Sequence, residues 1–323
     1  LEQDKDSYDG LKYGTLSSYD FVIRKINNLE ITPAMLALKP CSGSLVVTDP
    51  NNGDTIAMVS YPSYDNNMLT NQVNYEYYSK MYEDMSYPML CRATQSKTNT
   101  GSTFKPLTAV IGLTEGIITT DSIIYDRIKF DKIVPSPSCW SSGSHGSINV
   151  TDAIRDSCNY FFFDVAYSFS KTANGNYSDS QGMELIKKYA TMFGFGDVSG
   201  VEISESMPEI SSSDAVRTAI GYGHSFAPIQ IAKYATTITN GGTCYNLTLI
   251  DTVKSDDGSV VYEQQPSIYN SLSQVEQESW DAIHLGMKKV VSSGLSATFK
   301  NVGVEVAGKT GTAQVSLNQP NNA

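Results

Sequence analysis

Ser102 and Lys105 stand three residues apart in Gly101-Ser-Thr-Phe-Lys-Pro106, where the chain reads as the start of a helix. On a helix, positions i and i+3 share one face, so the lysine amine can reach the serine hydroxyl. A serine becomes a nucleophile when a base takes its proton, and a neutral lysine is such a base. Unpaired N–H groups at a helix start put positive potential where an oxyanion would form. The chemistry implied is acyl transfer. Alone, the pattern is weak, because a capping serine beside an exposed lysine is spelled the same way.

Two later clusters supply what such a site needs. Ser157-Cys-Asn159 offers a second hydroxyl and an amide, and Lys309-Thr-Gly-Thr312 offers a cation and two hydroxyls. Gly311 between those hydroxyls lets backbone approach a ligand closely. A third set is Asp126, Cys139, His145 and Cys158. One carboxylate, one imidazole and two thiols suit a tetrahedral Zn2+. With Ser157 and Asn159 facing a cleft, Cys158 points away from it, and a metal would staple a Gly/Ser-rich loop to the cleft wall. Two other readings stay open: small buried hydrophobes beside a loop histidine, or a Cys139–Cys158 disulfide. His224 and His284 read as structural, and Cys41, Cys91 and Cys244 as packing residues.

The elements that position these residues follow from periodicity and punctuation. After Pro106, which suits a first helical turn, Leu107, Val110, Ile111 and Leu113 keep helical spacing up to Gly116. Ser44–Thr48 and Thr55–Ser60 read as a hairpin around Asp49-Pro-Asn-Asn-Gly53. Residues 66–92 read as a polar, Tyr-rich surface excursion, and 121–149 as an extended Ser/Pro/Gly loop. Thr151 is expected to cap a helix with Asp152 in its first turn. Asp156-Ser-Cys-Asn159 interrupts that helix, and Tyr160–Tyr167 resumes it. Helices are expected over Met183–Phe195, Ala227–Asn240 and Ser273–Val291, the last with Trp280, Ile283, Met287 and Val290 inward. A second hairpin turns at Asp256-Asp-Gly258, and Val302–Val315 reads as a strand. Residues 1–19 are polar and aperiodic, and Phe21–Leu38 has room for one helix.

Composition bounds the class. The chain has 323 residues, 40% hydrophobic and 18% charged, which is ordinary for a globular protein with a core. A net charge of −11 argues against a nucleic-acid-binding surface. No run of 18 apolar residues marks a membrane span. Five cysteines in a chain this long do not form a disulfide framework.

Taken in order, Ser102-Thr-Phe-Lys105, Ser157-Cys-Asn159 and Lys309-Thr-Gly-Thr312 resemble the motif trio of penicillin-binding proteins and serine β-lactamases. Gly43–Tyr64, Arg92–Lys105, Gly221–Gly242 and Gly286–Gln314 resemble the monofunctional (class B) penicillin-binding proteins. Gly143-Ser-His-Gly146 is most similar to the elongation-type member, penicillin-binding protein 2. The resemblance covers most of residues 41–315. It implies an α/β fold of the penicilloyl-serine transferase type: an antiparallel sheet flanked by helices, plus a mostly helical subdomain carrying Ser102 and Ser157.

The resemblance also implies a function. A serine D,D-transpeptidase cross-links peptidoglycan stem peptides through an acyl-enzyme on Ser102, and β-lactams stall it at that stage. Lys105 would be the general base, its pKa lowered by burial and by Lys309. Ser157 would relay a proton to the leaving amine, and Asn159 would hold the substrate amide and orient Lys105. Thr310 and Thr312 would meet the substrate carboxylate beside the Lys309 charge, and the N–H groups of Ser102 and Thr312 would form the oxyanion hole. No cofactor is required for that chemistry; Zn2+ would be structural. Some elongation-type relatives carry a comparable zinc site, with an aspartate expected where Cys139 stands.

Expected partners are a membrane glycan polymerase and the elongation complex, at the outer face of the bacterial cytoplasmic membrane, with an N-terminal anchoring helix outside this chain. Residues 1–40 then read as the remnant of a preceding module with its connector, and 41–323 as the transpeptidase domain. The fold normally continues beyond the Lys309 strand, so a missing C-terminal part is expected. A serine β-lactamase, a D,D-carboxypeptidase and a non-catalytic β-lactam sensor or scaffold are the rival readings. Ser102→Ala is expected to lose covalent labelling by fluorescent penicillin while its circular dichroism and Tm match the parent; labelling that persists would place the nucleophile elsewhere.

Overall fold

The computed structural model describes residues 4–28, 30 and 42–313. They fall into two compact units, Leu1–Ser44 with Ser60–Cys91, and Leu45–Val59 with Arg92–Ala323.

The first unit carries α1 (Lys5–Lys12) and α2 (Ser18–Asn27). Each begins at a side-chain cap: Asp4 accepts from Ser7 N, and Ser17 from Asp20 N. Such caps satisfy orphan N–H groups and stabilise a helix by about 1 kcal/mol each. They correct the expectation of an aperiodic start and a single helix over Phe21–Leu38. The observed helix ends at Asn27, and residues 31–38 lie outside the described residues. A third helix, α3 (Tyr75–Glu83), capped by Asn74, lies within the expected surface excursion.

Strands β1 (Gly43–Thr48) and β2 (Thr55–Tyr61), whose Leu45–Thr48 and Thr55–Val59 belong to the second unit, form the expected hairpin. Its turn closes through Asp49 N to Asp54 O at 2.9 Å. A short buried helix, α4 (Arg92–Gln95), precedes a 3-10 turn over Gly101–Phe104, which runs straight into α5 (Lys105–Thr114). The long loop that follows is held at its base by the two-residue strands β3 (Ile124–Tyr125) and β4 (Ser147–Ile148), paired antiparallel.

Helix α6 (Val150–Arg155) starts at Asn149, whose side chain accepts from Asp152 N at 3.0 Å. Asn149, not Thr151, is therefore the cap. Thr151 lies inside the helix and donates to Ala282 O at 3.1 Å. Next come α7 (Asn159–Phe169), α8 (Asp179–Ala190) with a π turn over Thr191–Phe195, α9 (Ala215–Thr218) and α10 (Pro228–Thr239). Two antiparallel pairs follow: β5 (Thr243–Tyr245) with β8 (Ile268–Ser271), and β6 (Thr252–Lys254) with β7 (Val260–Glu263). The last elements among the described residues are α11 (Gln277–Gly294) and α12 (Ser296–Phe299).

Helix α5 is the axis of the core. Leu107, Ala109, Val110 and Ile111 are fully buried, as are Phe161 and Phe162 of α7. Burying a side chain of that size contributes about 1.5–3 kcal/mol, so the helix start that carries Ser102 rests on a firm base. Helix α11 crosses α6 at Gly286, where a Cβ would sit 2.9 Å from both Ile154 Cβ and Thr151 O.

One expected element is not formed as such. Residues 302–313 adopt no strand, because a strand needs a ladder partner for its N–H and C=O groups and no described strand pairs with them. Gln314 and Val315 lie outside the described residues. The segment is instead pinned to α11 by Gly308 N to Met287 O at 3.1 Å and by Lys288 Nζ to Glu305 at 2.8 Å. Gly286→Ala should lower Tm, with a loss of about 1–2 kcal/mol from overpacking that outweighs the helix-propensity gain. An unchanged or raised Tm would show that the α6–α11 contact gives way freely.

Candidate active site

The 3-10 turn over Gly101–Phe104 runs into α5 through Lys105 N, which bonds Ser102 O, so Ser102 and Lys105 stand one turn apart at the helix start. The turn is fixed from behind by Tyr234 of α10, whose hydroxyl donates to Thr103 O at 3.0 Å and accepts from Leu107 N at 3.2 Å. Ser102 lines a cleft of about 640 Å³, together with Ser157, Asn159, Thr310 and Thr312. The three sequence motifs thus meet around one space. Among the described residues the Ser102 hydroxyl has no hydrogen-bond partner.

Lys105 is fully buried. Its Nζ lies 2.5 Å from Ser157 O, 2.6 Å from Asn159 Oδ1 and 3.0 Å from Ser157 Oγ. Lys309 Nζ approaches the same Ser157 Oγ, at 2.9 Å, and also bonds Thr310 O. Burial, then the neighbouring Lys309 charge, hold Lys105 well below the ordinary lysine range. Burial lowers Lys309 to about 8. Two of the Lys105 N–H groups go to the pure acceptors Ser157 O and Asn159 Oδ1. Lys105 Nζ also donates to Ser157 Oγ, and the same hydroxyl oxygen accepts from Lys309 Nζ, so the two amines meet on one oxygen.

The turn that delivers Ser157 and Asn159 is a Schellman motif at the end of α6. Cys158 N bonds Ala153 O at 3.0 Å and Ser157 N bonds Ile154 O at 3.3 Å. Its left-handed position, usually glycine, is Ser157 with φ +51°. A side chain there costs about 1–2 kcal/mol. It is tolerated where the hydroxyl joins two amines.

Glycines bring the third motif against the first. At Gly101, with φ +50°, a Cβ would sit 2.3 Å from Thr312 O. At Gly311 a Cβ would sit 2.9 Å from Thr100 O and 2.7 Å from Thr103 Cγ2. Any larger residue would wedge the Thr310–Thr312 backbone away from the Ser102 turn.

Behind the Ser157 wall lies the thiol cluster. The ligand atoms of Asp126, Cys139, His145 and Cys158 all fall within 4.8 Å of one another. Cys139 Sγ is 3.9 Å from Cys158 Sγ and 3.6 Å from His145 Nδ1, which is 2.7 Å from Asp126 Oδ2. Burial pushes the Asp126 carboxyl up, but the N–H groups of His145 and Ile128 and the His145 ring pull it below the usual range. The hydrogen bond between the two thiols lowers Cys139, and the same bond, with burial, raises Cys158.

The profile of the penicillin binding protein transpeptidase domain matches residues 43–323. The chain belongs to this family. It is 31% identical over 310 residues to the peptidoglycan D,D-transpeptidase MrdA of Haemophilus influenzae, covering 88% of this chain and 44% of that protein. The chain therefore spans less than half the length of that relative. Among solved structures, it matches a chain from a study of the coordination of polymerization and crosslinking by a peptidoglycan synthase complex. That match has TM-score 0.73 and 26% identity and covers 86% of this chain and 47% of that one. Pseudomonas aeruginosa PBP2 in complex with WCK 5153 matches in fold, with TM-score 0.73 and 24% identity, covering 87% of this chain and 65% of that one. Penicillin-binding transpeptidases thus share the mixed helix–strand architecture seen here.

The cleft also has walls that motif reading passed over: Trp140, Ile220, Gly221 and Tyr222. Gly221 is the signal that was available. Its φ is +85°, and a Cβ there would sit 2.1 Å from Gly101 O. His224 stands behind this wall, fully buried, its ring 4.2 Å from that of Phe104 and its Nδ1 accepting from Ser211 N. Burial lowers it to about 3, so it stays neutral, as a structural histidine should. His284 Nε2 pairs with Ile238 O at 2.7 Å and is likewise structural. Cys91 and Cys244 are free thiols, and Cys41 lies outside the described residues.

The two lysines set a pH profile. The second-order rate of penicillin acylation reports the free protein's groups. It should fall in acid as Lys105 takes a proton. It should also fall as pH rises through about 8, where Lys309 loses its charge. Lys309→Arg, which stays charged at any working pH, should abolish the alkaline fall even if its plateau is lower. An alkaline limb unchanged in that variant would remove Lys309 from the assignment.

Proposed function

We propose that this chain is the catalytic part of a serine D,D-transpeptidase that cross-links peptidoglycan stem peptides. The observation that carries the reading is the line Lys309–Ser157–Lys105 beside Ser102 in one cleft. Ser102 Oγ attacks the carbonyl of the penultimate D-alanine, and neutral Lys105 takes its proton. The N–H groups of Ser102 and Thr312 stabilise the oxyanion, where one such donor contributes about 3 kcal/mol to lowering the barrier. Ser157 passes a proton to the departing D-alanine nitrogen, refilled from the lysines on either side. Asn159 holds the substrate amide, and Thr310, Thr312 and Lys309 hold the terminal carboxylate. An amine of a neighbouring stem then attacks the acyl-enzyme and restores the Ser102 hydroxyl. In a β-lactam the leaving nitrogen stays tethered in the acyl group, which favours the stalled adduct.

Asp126, Cys139, His145 and Cys158 are proposed to hold a structural Zn2+. Bonds of 2.0–2.3 Å in a tetrahedron separate ligand atoms by about 3.3–3.8 Å. The 3.6 Å and 3.9 Å spacings around Cys139 suit this, and the 2.7 Å His145–Asp126 contact needs a small opening. Bound there, the ion supplies a cross-link between loop and helix, not chemistry at the cleft.

The matched span 43–323 supports assigning residues 41–323 to the transpeptidase domain and 1–40 to a preceding module with its connector. The peptidoglycan synthase likeness supports a glycan polymerase and the elongation complex as partners, with a role in cell shape. By this reading the site works at the outer face of the cytoplasmic membrane, anchored there. Among the described residues no helix is long and apolar enough to cross a membrane.

Incubating the protein with a D-Ala-D-Ala donor and an amine acceptor peptide should give cross-linked product in a Ser102-dependent way. Hydrolysed donor alone would favour a carboxypeptidase, and an acyl-enzyme that turns over penicillin within seconds a β-lactamase. The same preparation should hold about one zinc per chain, lost in Cys158→Ser; chelator-free protein without zinc would remove the metal assignment.

A further inference from the structure

We propose that Cys139 and Cys158 are a reversible redox pair: an external disulfide, entering through the cleft, converts them to a disulfide, releases any bound metal and slows acylation of Ser102. This rests on the proposed function for its catalytic consequence, but the cross-link itself does not depend on that reading.

The two sulfurs are 3.9 Å apart, so a bond of about 2.0 Å needs them to close by about 1.9 Å. Both cysteines are buried, but not equally: Cys158 is 0% exposed at the start of α7, whereas Cys139 is 7% exposed and is one of the residues lining the cleft. A disulfide reagent therefore meets Cys139 first. Cys139 Sγ attacks one sulfur of the reagent RSSR, forming a mixed disulfide and expelling one thiolate, RS⁻. Cys158 Sγ, giving up its proton, attacks Cys139 Sγ and expels the second RS⁻. Two cysteine thiols are oxidised by two electrons, and one RSSR is reduced to two RSH.

Closing the bond displaces groups on both sides. Cys158 lies between Ser157 and Asn159, the two residues that hold the Lys105 amine. Cys139 lies between Ser138 and Trp140, both of them cleft residues. Trp140 Nε1 bonds Asp156 O at 3.1 Å, so its ring is tied to the same Schellman turn. Oxidation also removes two of four ligands, leaving Asp126 and His145 alone. The same access route gives a second expectation: an acyl group on Ser102 crowds the cleft and shields Cys139.

The test treats purified protein, its zinc content first measured, with oxidised glutathione. Non-reducing peptide mapping should show a Cys139–Cys158 cross-link. Any zinc should be released to a chromogenic chelator, Trp140 fluorescence should change, and penicillin labelling should slow at least tenfold. Dithiothreitol with added zinc should restore all of these. Prior acylation by penicillin should slow the cross-link severalfold, an arm that needs no variant. Cys139→Ser should not cross-link, and its labelling rate, whatever its starting value, should be the same before and after oxidised glutathione. Absence of the 139–158 cross-link, or a cross-linked protein labelled at the original rate, overturns the proposal. Cross-linking with slowed labelling in zinc-free protein upholds it while removing the metal assignment. If Ser102 is never labelled, the transpeptidase reading fails, and the cross-link with its Trp140 signal still decides the redox pair.

Discussion

A lysine amine held in the core without a carboxylate is the constraint on which the site turns. Charging Lys105 there would cost several kcal/mol of lost hydration, and the nearest ionic neighbour, Lys309, adds repulsion. The amine escapes both penalties by staying neutral, and a neutral amine is a base. Two features push it that way, the apolar packing of α5 and α7 and the cation across Ser157 Oγ, while the acceptors Ser157 O and Asn159 Oδ1 fix where the amine sits. Each comes from a different stretch of chain, so the base exists only when the fold is complete.

Holding those stretches together uses backbone shape as much as side chains. The Schellman turn at Ser157 trades a glycine's comfort for a hydroxyl at the meeting point of two amines. Gly101, Gly221 and Gly311 do the reverse, giving up side chains so that three backbones touch. The thiol cluster adds a fourth anchor behind the same turn, through Cys158. A local change at either the glycines or the thiols would thus be felt at Lys105, although none of these residues touches its amine.

That Ser102, Ser157, Asn159 and Thr312 come to one cleft was readable because the proposed chemistry needs particular residue types in short motifs at helix starts and turns. Helix α10 and both long hairpins were readable for a related reason: Pro228, Gly241 and Asp257-Gly258 are local signals that no tertiary contact overrides. The cap of α6 was misread because Asn149 and Thr151 both have capping side chains, and the choice between them depends on Ala282, distant in sequence, which takes the Thr151 hydroxyl. The strand pattern of 302–313 failed similarly: alternation shows a capacity to pair, while pairing needs a neighbour. Trp140 and Tyr222 carried no motif at all, since a cleft wall is defined by what stands opposite it.

Burial alone does not make a lysine a base, and the second buried lysine shows why. Lys233 is as inaccessible as Lys105, and burial lowers it too. Its surroundings, however, solvate a cation: Ser199 O at 3.0 Å, Asn246 Oδ1 at 3.2 Å and the face of Tyr269 at 4.1 Å. Carbonyl oxygens and an aromatic face stabilise the charged form, and the nearby Glu205 and Asp197 act in the same direction. Lys105 has carbonyl oxygens too, but beyond them its charged neighbour is the Lys309 ammonium on the shared Ser157 hydroxyl, where Lys233 has Glu205 and Asp197. The difference between Lys233 and the proposed base Lys105 is therefore the sign of the charge beyond the first hydrogen bond, and beside Lys105 that charge is Lys309.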